Sequence, residues 1–168
     1  SYPYSAISVY ALHPIYLNLE AMGLSSKEKD YQQKRKELNQ LEFVDYEEVM
    51  RLKWSYIKRL YKEQKESLFN NEEYQTFYEE NKEWLKPYAV FCYLRDKYHT
   101  SDYTRWEDDA QYNSKRIDQY CQSKHKNFDE IALHFFTQYH LDKQLSESIK
   151  YLHKKGIAIK GDIPIGVN

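Results

Sequence analysis

FDEIALHFFTQYHLDKQLSESIKYLHKKGIAIKGDIPIGVN, residues 128–168, is the stretch on which the fold turns. Phe128, Ile131, Phe135, Tyr139, Leu145, Ile149 and Leu152 keep a helical period, and Asn127 followed by Glu130 supplies a start. Gly156 stands where a left-handed cap ends a helix, and Lys154 and Lys155 complement the negative end of the dipole. The spacing predicts one helix from 128 to 155, about 42 Å long. After that single glycine the sequence changes to IAIKGDIPIGV, which reads as a β-branched strand over 157–163. Helix, glycine turn and strand in that order form the second half of a βαβ unit, and such a strand expects a parallel neighbour. Either it pairs within these 168 residues or its sheet lies in further polypeptide.

Working backwards, residues 25–155 hold no good partner strand. IYLNL at 15–19, where Ile15, Leu17 and Leu19 alternate with Tyr16 and Asn18, is the one candidate, and a two-stranded sheet is marginal. It belongs to an apolar segment, 1–24, punctuated by Pro3, Pro14 and Gly23, with a short helix or turn near 5–11. From Ser25 the run SSKEKDYQQKRKELNQL reads as a solvated helix with salt-bridge spacing. Asp45 with Glu48 opens an amphipathic helix over 46–68, carried by Val49, Leu52, Tyr56 and Leu60. Asn70 to Glu73 caps another through about Trp84, which Pro87 either interrupts or kinks on its way to 98. Thr104 and Glu107 cap a segment through His125 that reads as two short helices broken near Asn113. The fold class is mainly α, with short β segments near 15–19 and 157–163.

The chain is of single-domain length. Lys and Arg number 25 against 26 Asp and Glu, a net charge of -1, so nothing predicts phosphate-backbone binding as the main source of affinity, and no nucleic-acid partner is expected. Cys92 and Cys121 have no CxxC spacing and read as buried free thiols of a reducing compartment. The opening residues lack the basic region of a signal peptide, Ser1 is not an initiator methionine, and both ends look cut. No apolar run approaches the roughly 20 residues needed to span a bilayer, so a soluble, cytoplasmic chain with no membrane partner is expected. The 18 tyrosines and three tryptophans serve mostly as helix seams, and a minority suit platforms for sugar rings.

Few residues offer chemistry. None of His13, His99, His125, His134, His140 and His153 sits in HExxH or another ligand spacing, and His134 and His140 read as packing residues. Neither a metal site nor a cofactor is expected, there being no Gly-rich phosphate loop. GxSxG and a Cys/His nucleophile pair are also absent. EDD at 107–109 and NNEE at 70–73 read as solvated helix starts. Asp162, between Gly161 and Ile163-Pro164, falls at the C-terminal end of the strand, where barrels and open sheets place functional side chains. The alternative is a turn aspartate accepting backbone N–H bonds.

The opening SYPYSAISVYALHPIYLNLEAMG resembles the SPYS-S-F-A-NP-Y segment of 4-α-glucanotransferases, the amylomaltase or disproportionating-enzyme family, glycoside hydrolase family 77. HLDKQLSESIKYLHKKGIAIKGDIPIGVN resembles that family's helix and third barrel strand, and WLKPYAVFCYLRDKYHTSDYTRW its helical insertion. LHP at 12–14, where many members carry NP, is similar to the branch with the plant cytosolic disproportionating enzyme. The resemblance implies a helical insertion excised from a (β/α)8 TIM-barrel enzyme. Residues 1–24 become a barrel loop with a glucan-contact motif, 25–126 the insertion, and 127–168 a barrel helix plus third strand. The implied reaction moves α-1,4-glucan segments between malto-oligosaccharides or glycogen-like glucans with retention.

The resemblance also implies that both catalytic carboxylates lie on later strands, so this chain shapes the glucan groove and is inactive alone. Asp162 matches an aspartate beside the sugar subsites, Tyr4 a tyrosine that contacts glucan, and Ser1 a neighbouring polar contact. Tyr2 before Pro3 departs from the shorter SPY form. A strand excised from its sheet at 157–163 would self-associate through its open edge. Two other classes compete: a stand-alone α-helical module recognising glucan or protein through aromatic faces, and a coiled-coil-like interaction protein. The apolar stripes of 46–68 and 128–155 are wider than an a/d seam, which favours a packed helical domain over the coiled coil.

Overall fold

A computed structural model describes residues 7–161. Among the described residues there are five α-helices: α1 Lys29–Asn39, α2 Tyr46–Phe69, α3 Glu72–Tyr98, α4 Ser114–Tyr120 and α5 Phe128–Lys154. Short 3-10 turns lie at Pro14–Tyr16, Glu20–Met22, Tyr103–Arg105 and Glu107–Asp109. The mainly helical class is as expected, and so are the starts of α2 and α5. The Asp45 carboxylate accepts the Glu48 N–H at 3.0 Å, which satisfies one of the four donors a helix start leaves open. α1 buries Tyr31 alone, edge-on to Tyr56 at 5.2 Å, and is otherwise the solvated helix its composition predicts.

Pro87 does not break α3, which runs through it for 27 residues. Proline withholds one N–H, and the carbonyl thereby left over belongs to Glu83, an exposed residue that solvent reaches. α5 ends as predicted. Gly156 takes φ +72°, its N–H reaches the His153 carbonyl at 3.0 Å, and the Ile157 N–H reaches Leu152 at 3.0 Å. That bond pair is a Schellman cap.

Neither predicted strand is present among the described residues. Residues 7–11 likewise hold bends and no helix, and 15–19 make a 3-10 turn instead of an extended run. The physical reason is where the backbone groups go. Lys53 donates to the carbonyls of Ile15 and Leu17, the latter at 2.8 Å. Two glutamines of α5 act as amide clamps: Gln138 donates to and accepts from the Leu12 backbone, at 2.9 Å each way. Gln144 treats Asn18 alike, at 2.8 and 3.0 Å. Side-chain amides thus satisfy groups that a neighbouring strand would otherwise pair.

At 157–161 no strand forms, and Ile157 and Ile159 stay 51% and 50% exposed. A strand exists only through a ladder, and the described residues contain no second strand to make one. Residues 162 and 163 of that predicted strand lie outside the described residues. The helical reading of 104–125 also contracts, to α4 preceded by two 3-10 turns, because Trp106 is drawn inward and its indole N–H donates to the Thr100 carbonyl at 2.9 Å.

The chain divides into two compact units. Of the described residues, one comprises 7–11, Glu72–Phe136 and 160–161. Leu85, Ala89, Ile131 and Phe136 are fully buried there, and Phe135 meets Tyr78 edge-on at 5.4 Å. The other comprises Leu12–Asn71 and Thr137–Ile159, with Leu17, Leu19, Ile57 and Leu60 buried. Gln138, 3% exposed, is a core residue of this second unit as well as a clamp. Gln138→Leu is expected to cost about 2 kcal/mol, since it strands a donor and an acceptor of Leu12. Urea unfolding followed by circular dichroism measures it.

His134 and His140 behave as packing residues, as expected. Burial lowers the His140 imidazole to about 4, so it stays neutral at physiological pH. His134, 6% exposed, lies edge-on to Tyr88 at 6.4 Å. Burial pushes the Cys92 thiol up to about 11 and Cys121 up to about 12, although only Cys92 is fully buried and Cys121 is half-buried. Neither is poised as a nucleophile. Among the described residues no helix is long and apolar enough to cross a membrane.

Candidate functional site

The three residues assigned to sugar contact from the sequence, Ser1, Tyr4 and Asp162, lie outside the described residues. What the described residues do bring together is an aromatic groove of about 590 Å³ within the first unit. That size falls in the range of small-molecule sites, roughly 300–1,000 Å³. One wall is a face of α3 built from Trp84, Pro87, Tyr88, Phe91 and Leu94, which recur at helical spacing. The opposite wall comes from the loop and α4 between Tyr103 and Tyr120.

Local conformation sets that second wall. The chain leaves α3 through His99 in the left-handed region at φ +54°, with the Thr100 N–H bonded to the Arg95 carbonyl at 3.1 Å. A residue with a Cβ is uncommon there. The Asp102 carboxylate then accepts the Thr104 hydroxyl at 2.6 Å and caps the 3-10 turn Tyr103–Arg105. Trp106, 3% exposed, sits between Phe91 at 5.0 Å and Tyr98 at 6.2 Å, and forms part of the floor. Trp84 is stacked by Tyr10 at 6.0 Å, and its N–H donates to Asn81 at 2.8 Å. Tyr103 and Tyr112 stand at the rim, 58% and 77% exposed.

Asp109 ties the loop down. Its side chain is 4% exposed, which corrects the reading of EDD at 107–109 as a wholly solvated helix start. It accepts from Lys97 and the Tyr98 hydroxyl, both at 3.0 Å, and from the Tyr120 hydroxyl at 3.1 Å, with Arg116 at 3.4 Å. Burial alone would raise the carboxyl, but the hydrogen bonds from Lys97, Tyr98 and Tyr120 outweigh it and hold the group below its usual value. Arg116 also donates to the Asp108 carbonyl. The result is a fixed wall that joins α3 to α4, with the Asp109 carboxylate met by two cations.

Sequence reading missed this groove. One signal was available, the apolar and aromatic face at 84, 87, 88, 91 and 94, but nothing local ties that face to Trp106 or Asp109. Among the described residues no group of three or more His, Cys, Asp or Glu side chains is gathered to hold a metal.

Comparison with known proteins supplies the context. The chain is similar to the 4-alpha-glucanotransferase DPE2 of Oryza sativa subsp. japonica, 41% identical over 171 residues that take in 100% of this chain and 18% of the relative. It is similar to a 4-alpha-glucanotransferase of Chlamydia muridarum, 32% identical over 173 residues, 98% of this chain and 31% of the relative. A 4-alpha-glucanotransferase of Thermus thermophilus is 26% identical over 171 residues, 98% of this chain and 32% of the relative. The chain therefore spans between about a fifth and a third of the length of these relatives. No solved structure matches it. The model of the 4-alpha-glucanotransferase family, glycoside hydrolase family 77, matches residues 1–168, and the chain belongs to that family.

Proposed function

We propose that the chain is the portion of a cytoplasmic, retaining 4-α-glucanotransferase that shapes the glucan groove, within a longer (β/α)8 polypeptide. The observation that carries this reading is the family match over all 168 residues. On it, 1–24 form a barrel loop with the glucan-contact motif, 25–126 a helical insertion, and 127–168 a barrel helix with the third strand. The Schellman turn at Gly156 supports that assignment, being a tight exit from a helix into an αβ connection. So do Ile157 and Ile159, half exposed as expected of a strand whose parallel neighbours come from elsewhere. Without them the open edge favours self-association.

The reaction needs a nucleophilic carboxylate and an acid/base carboxylate about 5 Å apart, and a sugar 4-hydroxyl replaces water in capturing the glycosyl-enzyme. Those two groups belong to other strands of the longer polypeptide. Asp162 accepts sugar hydroxyl bonds and supports the positive charge that develops at the reacting carbon; Tyr4 and Ser1 contact bound glucan. No cofactor is required. In the longer enzyme, Asp162→Asn is expected to lower kcat/KM for maltotriose disproportionation by roughly 10- to 100-fold. Wild-type turnover in that variant, or disproportionation by the 168-residue chain alone, would refute the assignment.

A further inference from the structure

Building on the glucan-active reading above, we propose that the aromatic groove of the first unit is a second carbohydrate site, which takes a short α-1,4-glucan away from bond cleavage. Charge is the first argument. Among the described residues the two charged side chains that line the groove, Asp109 and Arg116, face each other at 3.4 Å and cancel in net charge. A cavity whose charges are consumed internally selects a neutral ligand over a phosphate or an ammonium.

Amphipathicity is the second argument. A glucose ring presents apolar C–H faces and a hydroxyl periphery. The groove presents the matching surfaces: Trp84 and Phe91 on its α3 wall and Trp106 on its floor, while the phenols of Tyr103 and Tyr112 and the Gln111 amide lie at its exposed edge. Preorganisation is the third. The Trp106 indole is already anchored on the Thr100 carbonyl at 2.9 Å and Trp84 on Asn81 at 2.8 Å, so binding orders little that is not ordered in advance. Tyrosine rims add contact area at low rotamer cost.

Maltoheptaose titrated into the 168-residue chain, read by tryptophan fluorescence, tests the site. We expect a saturable change that weakens about tenfold or more in Tyr103→Ala/Tyr112→Ala, two exposed positions whose truncation leaves far-UV circular dichroism intact. Tyr112→Phe, which keeps the ring, should retain binding, and so should Tyr151→Ala in the second unit. Absence of saturation by the folded chain overturns the proposal, as does saturation by an apolar peptide but not by maltoheptaose. Binding lost in Tyr4→Ala or Asp162→Asn and kept in the double variant also overturns it, while leaving the catalytic-groove reading intact. Conversely, a longer enzyme indifferent to Asp162→Asn removes that reading without touching this titration.

Discussion

Phe135→Ala is expected to destabilise the protein by about 3–5 kcal/mol, the effect of emptying an aromatic site that cannot collapse. Phe135 is 1% exposed, lies edge-on to Tyr78 at 5.4 Å and is flanked along α5 by Ile131, Ala132 and Phe136, none of them exposed. Removing the ring forfeits its transfer free energy, the edge-to-face contact and the dispersion contacts of its neighbours. Domains of this size hold about 5–15 kcal/mol in total, so the variant loses a large part of the margin. In urea the midpoint should fall with little change in slope, and the thermal midpoint should drop by roughly 10 °C. A loss under about 1 kcal/mol would mean that the site relaxes around the deletion.

Asp109→Asn comes next, at about 3 kcal/mol. The carboxylate gathers Lys97, Tyr98, Tyr120 and Arg116, and an amide cannot accept from all four. Removing one partner of a buried charge cluster costs roughly 3–5 kcal/mol. The low end applies because the Lys97 and Arg116 side chains are 40% and 42% exposed and can be hydrated once released. The sign of the pH effect follows from the direction of the shift. Asp109 titrates below its unfolded value, so its contribution is present at neutral pH and is lost as pH falls through the depressed folded value. Wild-type stability should decline in acid by more than that of Asp109→Asn, and equal acid slopes in the two proteins would remove Asp109 from this role.

Periodic elements were the legible part of the fold. α2 and α5 declare themselves because their apolar residues recur along one face and their ends carry Asp45 and Gly156. The run at 15–19 declares itself falsely, since alternation of Ile15, Leu17 and Leu19 with Tyr16 and Asn18 is also what a 3-10 turn and its exit produce when Leu17 and Leu19 are buried. Nothing local distinguishes the two, because the deciding partners, Lys53 and Gln144, are distant in sequence. The same holds for Asp109, an acid among acids until Tyr98, Lys97, Arg116 and Tyr120 are placed around it. Ser1, Tyr4 and Asp162 were readable through family resemblance, whereas the groove needed α3 and the 103–120 loop in three dimensions.

The glutamine clamps also have a statistical-mechanical side. Both bind partners 126 residues away, so the first to form bears the full entropy of closing a very large loop. Once Gln138 holds Leu12, Asn18 is confined near Gln144 at high effective concentration, and the second clamp closes at little further entropic cost. The two clamps therefore form and break as a pair. Their single-site losses should not sum in a double-mutant cycle, even though each clamp has its own backbone partner.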